Sequence, residues 1–188
     1  MDETLRQLEQ RWRTTNAIED EAAFLAARVQ GGNLSGESLA LAACCYDPAA
    51  VATESEIPQE FEPWVERVEG ALRAGPTGAE ELARVAFVRS FLGRVSQSAE
   101  AGRIASLADA LEEWALCPCR RHKRDYVSLR ERAHYEVSHQ GSSLKPVSVL
   151  WRLAGWGISW TELLALGTAE ELREALRAGL VPWLLAHE

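Results

Sequence analysis

Ile104-Ala105-Ser106-Leu107-Ala108-Asp109-Ala110-Leu111-Glu112-Glu113-Trp114 decides the fold class. Ile104, Leu107, Ala108, Leu111 and Trp114 recur at helical spacing, while Glu112 and Glu113 fall on the opposite side. A half-buried strand would alternate every second residue, so this segment reads as an amphipathic helix. The same period extends outward. Leu82, Val85, Ala86 and Leu92 form one stripe, Phe61, Trp64, Val65, Val68 and Leu72 another. Leu5, Leu8 and Trp12 begin a further one, which Leu25 and Val29 continue in the next element. Val147-Ser148-Val149-Leu150-Trp151 is the best strand candidate, yet Arg152-Leu153-Ala154 extends it equally well as a helix.

Punctuation agrees with the period. Asn16-Ala17-Ile18-Glu19, Thr77-Gly78-Ala79-Glu80, Ser159-Trp160-Thr161-Glu162 and Thr168-Ala169-Glu170-Glu171 each read as a helix start with a polar cap. Asp47-Pro48 reads as a cap with proline at the first helical position, opening a short helix through Ala52. Gly31-Gly32, Gly75-Pro76, Gly167 and Gly179 read as stops that supply a left-handed residue. The expectation is an all-α, irregular multi-helix bundle of eight to ten helices, with stacked helix pairs as a variant. No fixed period joins the segments, so a true repeat array is not implied. The chain reads as one domain over 1–188, with an N-terminal subdomain over 1–52, a loop at 53–58 and a break near 140–143.

The 188 residues carry a net charge of −8, with 47% hydrophobic and 26% charged residues, which is ordinary for a folded chain. Charge is unevenly spread: residues 1–116 sum to −10, 117–152 to +5 and 153–188 to −3. An acidic body repels phosphate backbones and anionic membranes, so nucleic acid is disfavoured as a partner and no membrane is expected. The amino terminus has no secretory pattern and no run is long and apolar enough to span a bilayer. The reading is cytoplasmic, with the four cysteines as free thiols.

Reactive and basic groups concentrate in Cys117-Pro118-Cys119-Arg120-Arg121-His122-Lys123-Arg124. Two thiolates and an imidazole suit zinc, and His139 (or His134) is the candidate fourth ligand beside Cys117, Cys119 and His122. Spacing opposes this, because structural zinc sites place two to four residues between paired cysteines and here a single proline intervenes. The competing reading closes one helix against the core at Leu116-Cys117, breaks it at Pro118 and begins the next at Cys119, with the cysteines as small buried residues. The flanking cations would also depress a thiol's pKa, which permits a redox role. Arg120, Arg121, Lys123, Arg124, Arg130 and Arg132 form a basic patch interleaved with Tyr126 and Tyr135. Such a strip can bind anions, but with so many acids in the first 116 residues, intramolecular pairing is the favoured expectation.

Cys44-Cys45 diverge by about 100° on a helix and read as small core residues. Trp151, Trp156, Trp160 and Trp183 read as a C-terminal core with Ile158, Leu163, Leu164, Leu166, Leu172 and Leu176, or in part as an aromatic patch for a partner. No Gly-x-Ser-x-Gly elbow, P-loop, dinucleotide fingerprint or His-Glu-x-x-His occurs. Cys119 with His122 is the nearest approach to a reaction centre.

The runs Arg11-Trp12-Arg13, Asn16 to Ala23, Leu39 to Ala43 and Asp47 to Ala50, with the Cys-Pro-Cys-x-x-His patch, resemble a group of uncharacterised bacterial all-helical proteins. The resemblance implies a helical, bacterial, cytoplasmic protein and carries no functional residues with it. The functional expectation is a non-enzymatic protein-interaction module, an adaptor or immunity-type protein whose acidic surface meets a basic partner. The alternative is a metal- or nucleic-acid-binding regulatory protein that uses residues 117–139.

Overall fold

A computed structural model describes residues 3–54, 57–98, 100–139 and 146–186, with 133–139 described by their backbone alone. Among the described residues every regular element is a helix: nine of nine or more residues and three shorter ones, plus a 3-10 turn at Gly93–Val95. The all-α expectation holds. The break expected near 140–143 lies outside the described residues.

The chain forms two compact units, residues 1–76 with 181–188 and residues 77–180. The edge expected at 53–58 is not where they divide. Ile57 is buried and the Tyr46 hydroxyl donates to Pro58 O, so that segment is tied into the first unit.

Unit 1 contains α1 (Glu3–Thr15), α2 (Ile18–Gln30), α3 (Gly36–Cys44), α4 (Pro48–Val51), α5 (Phe61–Ala74) and α12 (Val181–Ala186). Its centre is α3, on which α4, α5 and α12 pack. Ala42, Ala43, Cys44 and Cys45 are all but fully buried, as their small size led us to expect, and short side chains let neighbouring backbones approach closely. Burial pushes both thiols up from their ordinary pKa, which disfavours the thiolate at either position. Trp64 fills the space beside them, and its Nε1–H donates 2.8 Å to Cys44 O at the end of α3. That carbonyl has no partner within its own helix, so the indole completes the helix end while burying its ring.

Unit 2 contains α6 (Ala79–Leu92), α7 (Ala101–Leu116), α8 (Arg120–His139), α9 (Pro146–Gly155), α10 (Trp160–Leu163) and α11 (Ala169–Gly179). The strand candidate at 147–151 lies inside α9. Helix α6 is the axis, packed by α7, α9 and α11, and Leu82 through Val88 are buried without interruption. The single stripe read from the sequence understates this, because neighbours cover α6 on several sides. Gly179 permits the close α11–α6 approach, since a Cβ there would lie 2.5 Å from the Ala86 Cβ.

Arg84 is buried in that apolar run. Its Nε donates to Leu153 O at 2.8 Å, and its Nη2 donates to Ala154 O at 2.8 Å and to the Tyr126 hydroxyl at 3.0 Å. Tyr126 Oη also reaches Ala154 O and Gly155 O, and its ring stacks on Trp114 at 5.3 Å. The last carbonyls of α9 need external donors, and a cation there also meets the negative end of the helix dipole. One guanidinium and one phenol thus tie α6, α8 and α9 together, and the Trp114 stack adds α7. This assembly sets the position of the head of α8.

Local signals were read with mixed success. All five predicted helix starts lie at helix starts, and Asp47 and Thr168 make the predicted caps, Thr168 as a full capping box with Glu171. Ala17, Gly78 and Ser159 occupy the other N-cap positions with no side-chain cap bond. Of the four predicted stops only the first contains a left-handed residue, Gly32 at φ +71, and Gly75 is extended. Trp151 and Trp160 are buried in unit 2, whereas Trp156 is 45% exposed.

Candidate metal centre

Helix α7 ends at Leu116, and Cys117 caps it through a backbone N–H bond to Glu113 O. Pro118 cannot supply the next helical N–H, so the chain turns sharply. The Cys119 N–H closes that turn on Cys117 O at 2.7 Å, and Lys123 N–H then reaches Cys119 O at 3.1 Å, the first helical bond of α8. Cys119 therefore stands at the N-cap, where unpaired backbone N–H groups point at its sulfur. His122 follows one turn later.

This turn brings Cys117, Cys119 and His122 together: both Sγ atoms and a ring nitrogen lie within 4.8 Å of one another. Both cysteines are free and exposed, so the reading that makes them small buried residues fails: the turn at Pro118 carries them out of the core. The Nδ1 of His122 lies 3.2 Å from Cys117 O. A carbonyl only accepts, so this contact is a hydrogen bond when Nδ1 carries a proton, and in that neutral tautomer the lone pair sits at Nε2. A ligating histidine is commonly held by this kind of bond from its other ring nitrogen to a carbonyl. The two thiols differ. The backbone N–H of His122, followed by the Cys117 thiol and the N–H of Arg121, holds Cys119 below the ordinary thiol pKa. Cys117 is raised, first because its S–H donates to Cys119. Of the two sulfurs, Cys119 is therefore the one whose thiolate the turn favours.

His139, the proposed fourth ligand, does not share this place. It closes the same helix 17 residues beyond His122, which at about 1.5 Å per residue is about 25 Å along the axis. Its side chain, with those of His134 and Tyr135, lies outside the described residues.

The basic patch also departs from expectation. Arg120, Arg121, Lys123, Arg124 and Arg132 are exposed, and Arg130 is half-buried. The acid within ion-pair range of any of them is Asp125 on the same helix, 3.9 Å from Arg121 and 3.7 Å from Arg124. Lys123 and Arg130 lie against the Trp114 and Tyr126 rings instead. Among the described residues none pairs with the acidic helices. Those acids are engaged elsewhere, for example Asp109 and Glu112 with Arg89. The cations at the head of α8 face water.

A second concavity lies in unit 1, an open groove lined by Leu5, Trp12, Phe24, Leu25, Arg28 and Leu185 among others. Sequence reasoning put Leu5, Trp12 and Leu25 on one stripe but did not anticipate the groove, which depends on Phe24 stacking on Trp12 at 5.5 Å. No helix among the described residues is long and apolar enough to cross a membrane. No family model, curated protein or solved structure matches the chain.

Proposed function

We propose that this chain is a metal-binding regulatory protein whose working part is the thiolate–imidazole cluster at the head of α8. The observation that carries the reading is the convergence of Cys117, Cys119 and His122 within 4.8 Å on an exposed turn. Two soft sulfurs and an imidazole form a donor set for thiophilic transition ions. The bond from His122 to Cys117 O lends further support, since it orients the ring for ligation. Protein purified under reducing conditions without chelator is expected to retain one transition ion per chain by elemental analysis. Cobalt loading should produce sulfur-to-metal charge-transfer absorption. Cys119→Ser removes one of the two sulfurs from an exposed turn and leaves the core untouched, so it should diminish that absorption and weaken binding at least 100-fold. Wild-type protein with no more ion than the Cys117→Ser/Cys119→Ser variant would refute the reading.

A second reading, an interaction module whose acidic surface meets a basic protein, draws on the net charge of −8. Opposite charge steers such encounters and makes them salt-dependent. It requires a stoichiometric partner in a pull-down at low salt that is lost at high salt. Recovery of none would remove it.

A further inference from the structure

Resting on that metal-centre reading, we infer that the head of α8 is built for a monovalent soft ion, copper(I), rather than for zinc. Three features of the site support this.

The first is the donor number. The cluster offers three ligand atoms among the described residues. His134 and His139 lie about 18 and 25 Å further along the same rod by helical rise. Asp125 does not join the cluster, and Arg121 and Arg124 flank its carboxylate. A structural zinc site is closed by four protein donors, whereas a closed-shell monocation is satisfied by two or three soft ones.

The second is the loop. With a single proline between the cysteines, one tight turn holds both sulfurs within 4.8 Å of each other. Tetrahedral zinc loops place two to four residues between paired thiolates so that they can wrap the ion. Two thiolates and one imidazole around a three-coordinate ion need no such wrapping.

The third is charge. Arg120, Arg121, Lys123 and Arg124 adjoin the ligands along the first turn of α8 and are exposed, and among the described residues Asp125 is the acid within ion-pair range, near two of them. Each of these cations repels a dication twice as strongly as a monocation at the same place. Two thiolates with copper(I) form a centre of net charge −1, which the surrounding cations stabilise. With zinc the centre is neutral and that attraction is lost. In either case the thiol protons leave to solvent on binding.

The test uses the full chain, reduced and oxygen-free. Copper(I) is titrated against a chromogenic copper(I) chelator and zinc against a zinc-binding dye, and X-ray absorption reads the coordination of each loaded form. The expected result is one copper(I) per chain, bound by two sulfurs and one nitrogen, with zinc held only at micromolar levels or weaker. In Arg120→Gln/Arg121→Gln the zinc-to-copper(I) affinity ratio should rise roughly three- to tenfold. The cost of deprotonating the thiols is common to both ions and cancels in that ratio. His122→Ala should drop the nitrogen from the copper(I) shell. Four-coordinate zinc bound at nanomolar levels or tighter, or a ratio indifferent to the arginines, would overturn the inference and leave the metal centre standing. Failure of both ions to bind would instead remove the underlying reading.

Discussion

Replacing Arg84 by methionine is expected to lower the stability of the unit formed by residues 77–180 by about 3 kcal/mol, the largest effect of any polar substitution in that unit. The methionine stem fills similar space, so the loss is electrostatic and not a cavity. Leu153 O loses its donor, and Ala154 O keeps only the Tyr126 hydroxyl. Hydrogen bonds to a charged group contribute about 1.5–3 kcal/mol each, and three are removed. Relief from burying a cation offsets part of that sum. Arg84→Lys should recover little, because an ammonium cannot reproduce the planar fork that reaches two carbonyls and a phenol together. Hydrogen exchange through α6, α8 and α9 under mild denaturant reads this directly. Protection unchanged to within about 0.5 kcal/mol would mean that the network is ornamental. Because the same network seats α8, Arg84→Met should also loosen the head of that helix and weaken ion binding without touching a ligand.

In the first unit the corresponding element is Trp64, and Trp64→Ala should cost about 3–5 kcal/mol. The ring is fully buried between α3 and α5, so its removal opens a cavity beside Cys44 and Val68 that small neighbours cannot close. Trp64→Phe separates the two contributions. It retains most of the apolar area but strands Cys44 O, and should cost about 1–3 kcal/mol, the penalty for an unsatisfied buried acceptor. Exchange protection should fall in α3 and α5 and hold in α6 and α7. Uniform loss across all four helices would show that the chain unfolds as one cooperative block and would overturn the expectation of a loss confined to α3 and α5.

Apolar periodicity carried most of the fold because it reports burial directly: Ile104, Leu107 and Leu111 are each at most 1% exposed, as their spacing implies. Where several helices cover one, the period blurs. Leu82-Ala83-Arg84-Val85-Ala86-Phe87-Val88 carried the clue, an arginine inside an unbroken apolar run, but only the partners Leu153, Ala154 and Tyr126 reveal what satisfies it. Cap chemistry was legible at Asp47 and Thr168, where the side chain itself makes the bond, and misread at Asn16, which instead takes φ +50 one residue before the cap. For the candidate site, the residue types were visible in Cys117-Pro118-Cys119 and His122, while their convergence depends on how the proline turn closes. The separation of His139 followed from its place on one long helix and needed only the rise per residue. The outward-facing cations were misjudged because abundance of acids is not proximity to them.

Helix α12 packs on α3, yet the 104 residues of unit 2 separate it from Pro76. On the ribosome, residues 1–76 therefore emerge without the segment that covers them. At about 5–20 residues per second the delay is roughly 5–20 s. Unit 2 is continuous in the chain, so all of it is synthesised before unit 1, begun earlier, receives its last helix. The bare side of α3 is then the surface a chaperone has longest to find, and slowing translation within 77–180 should lengthen its exposure.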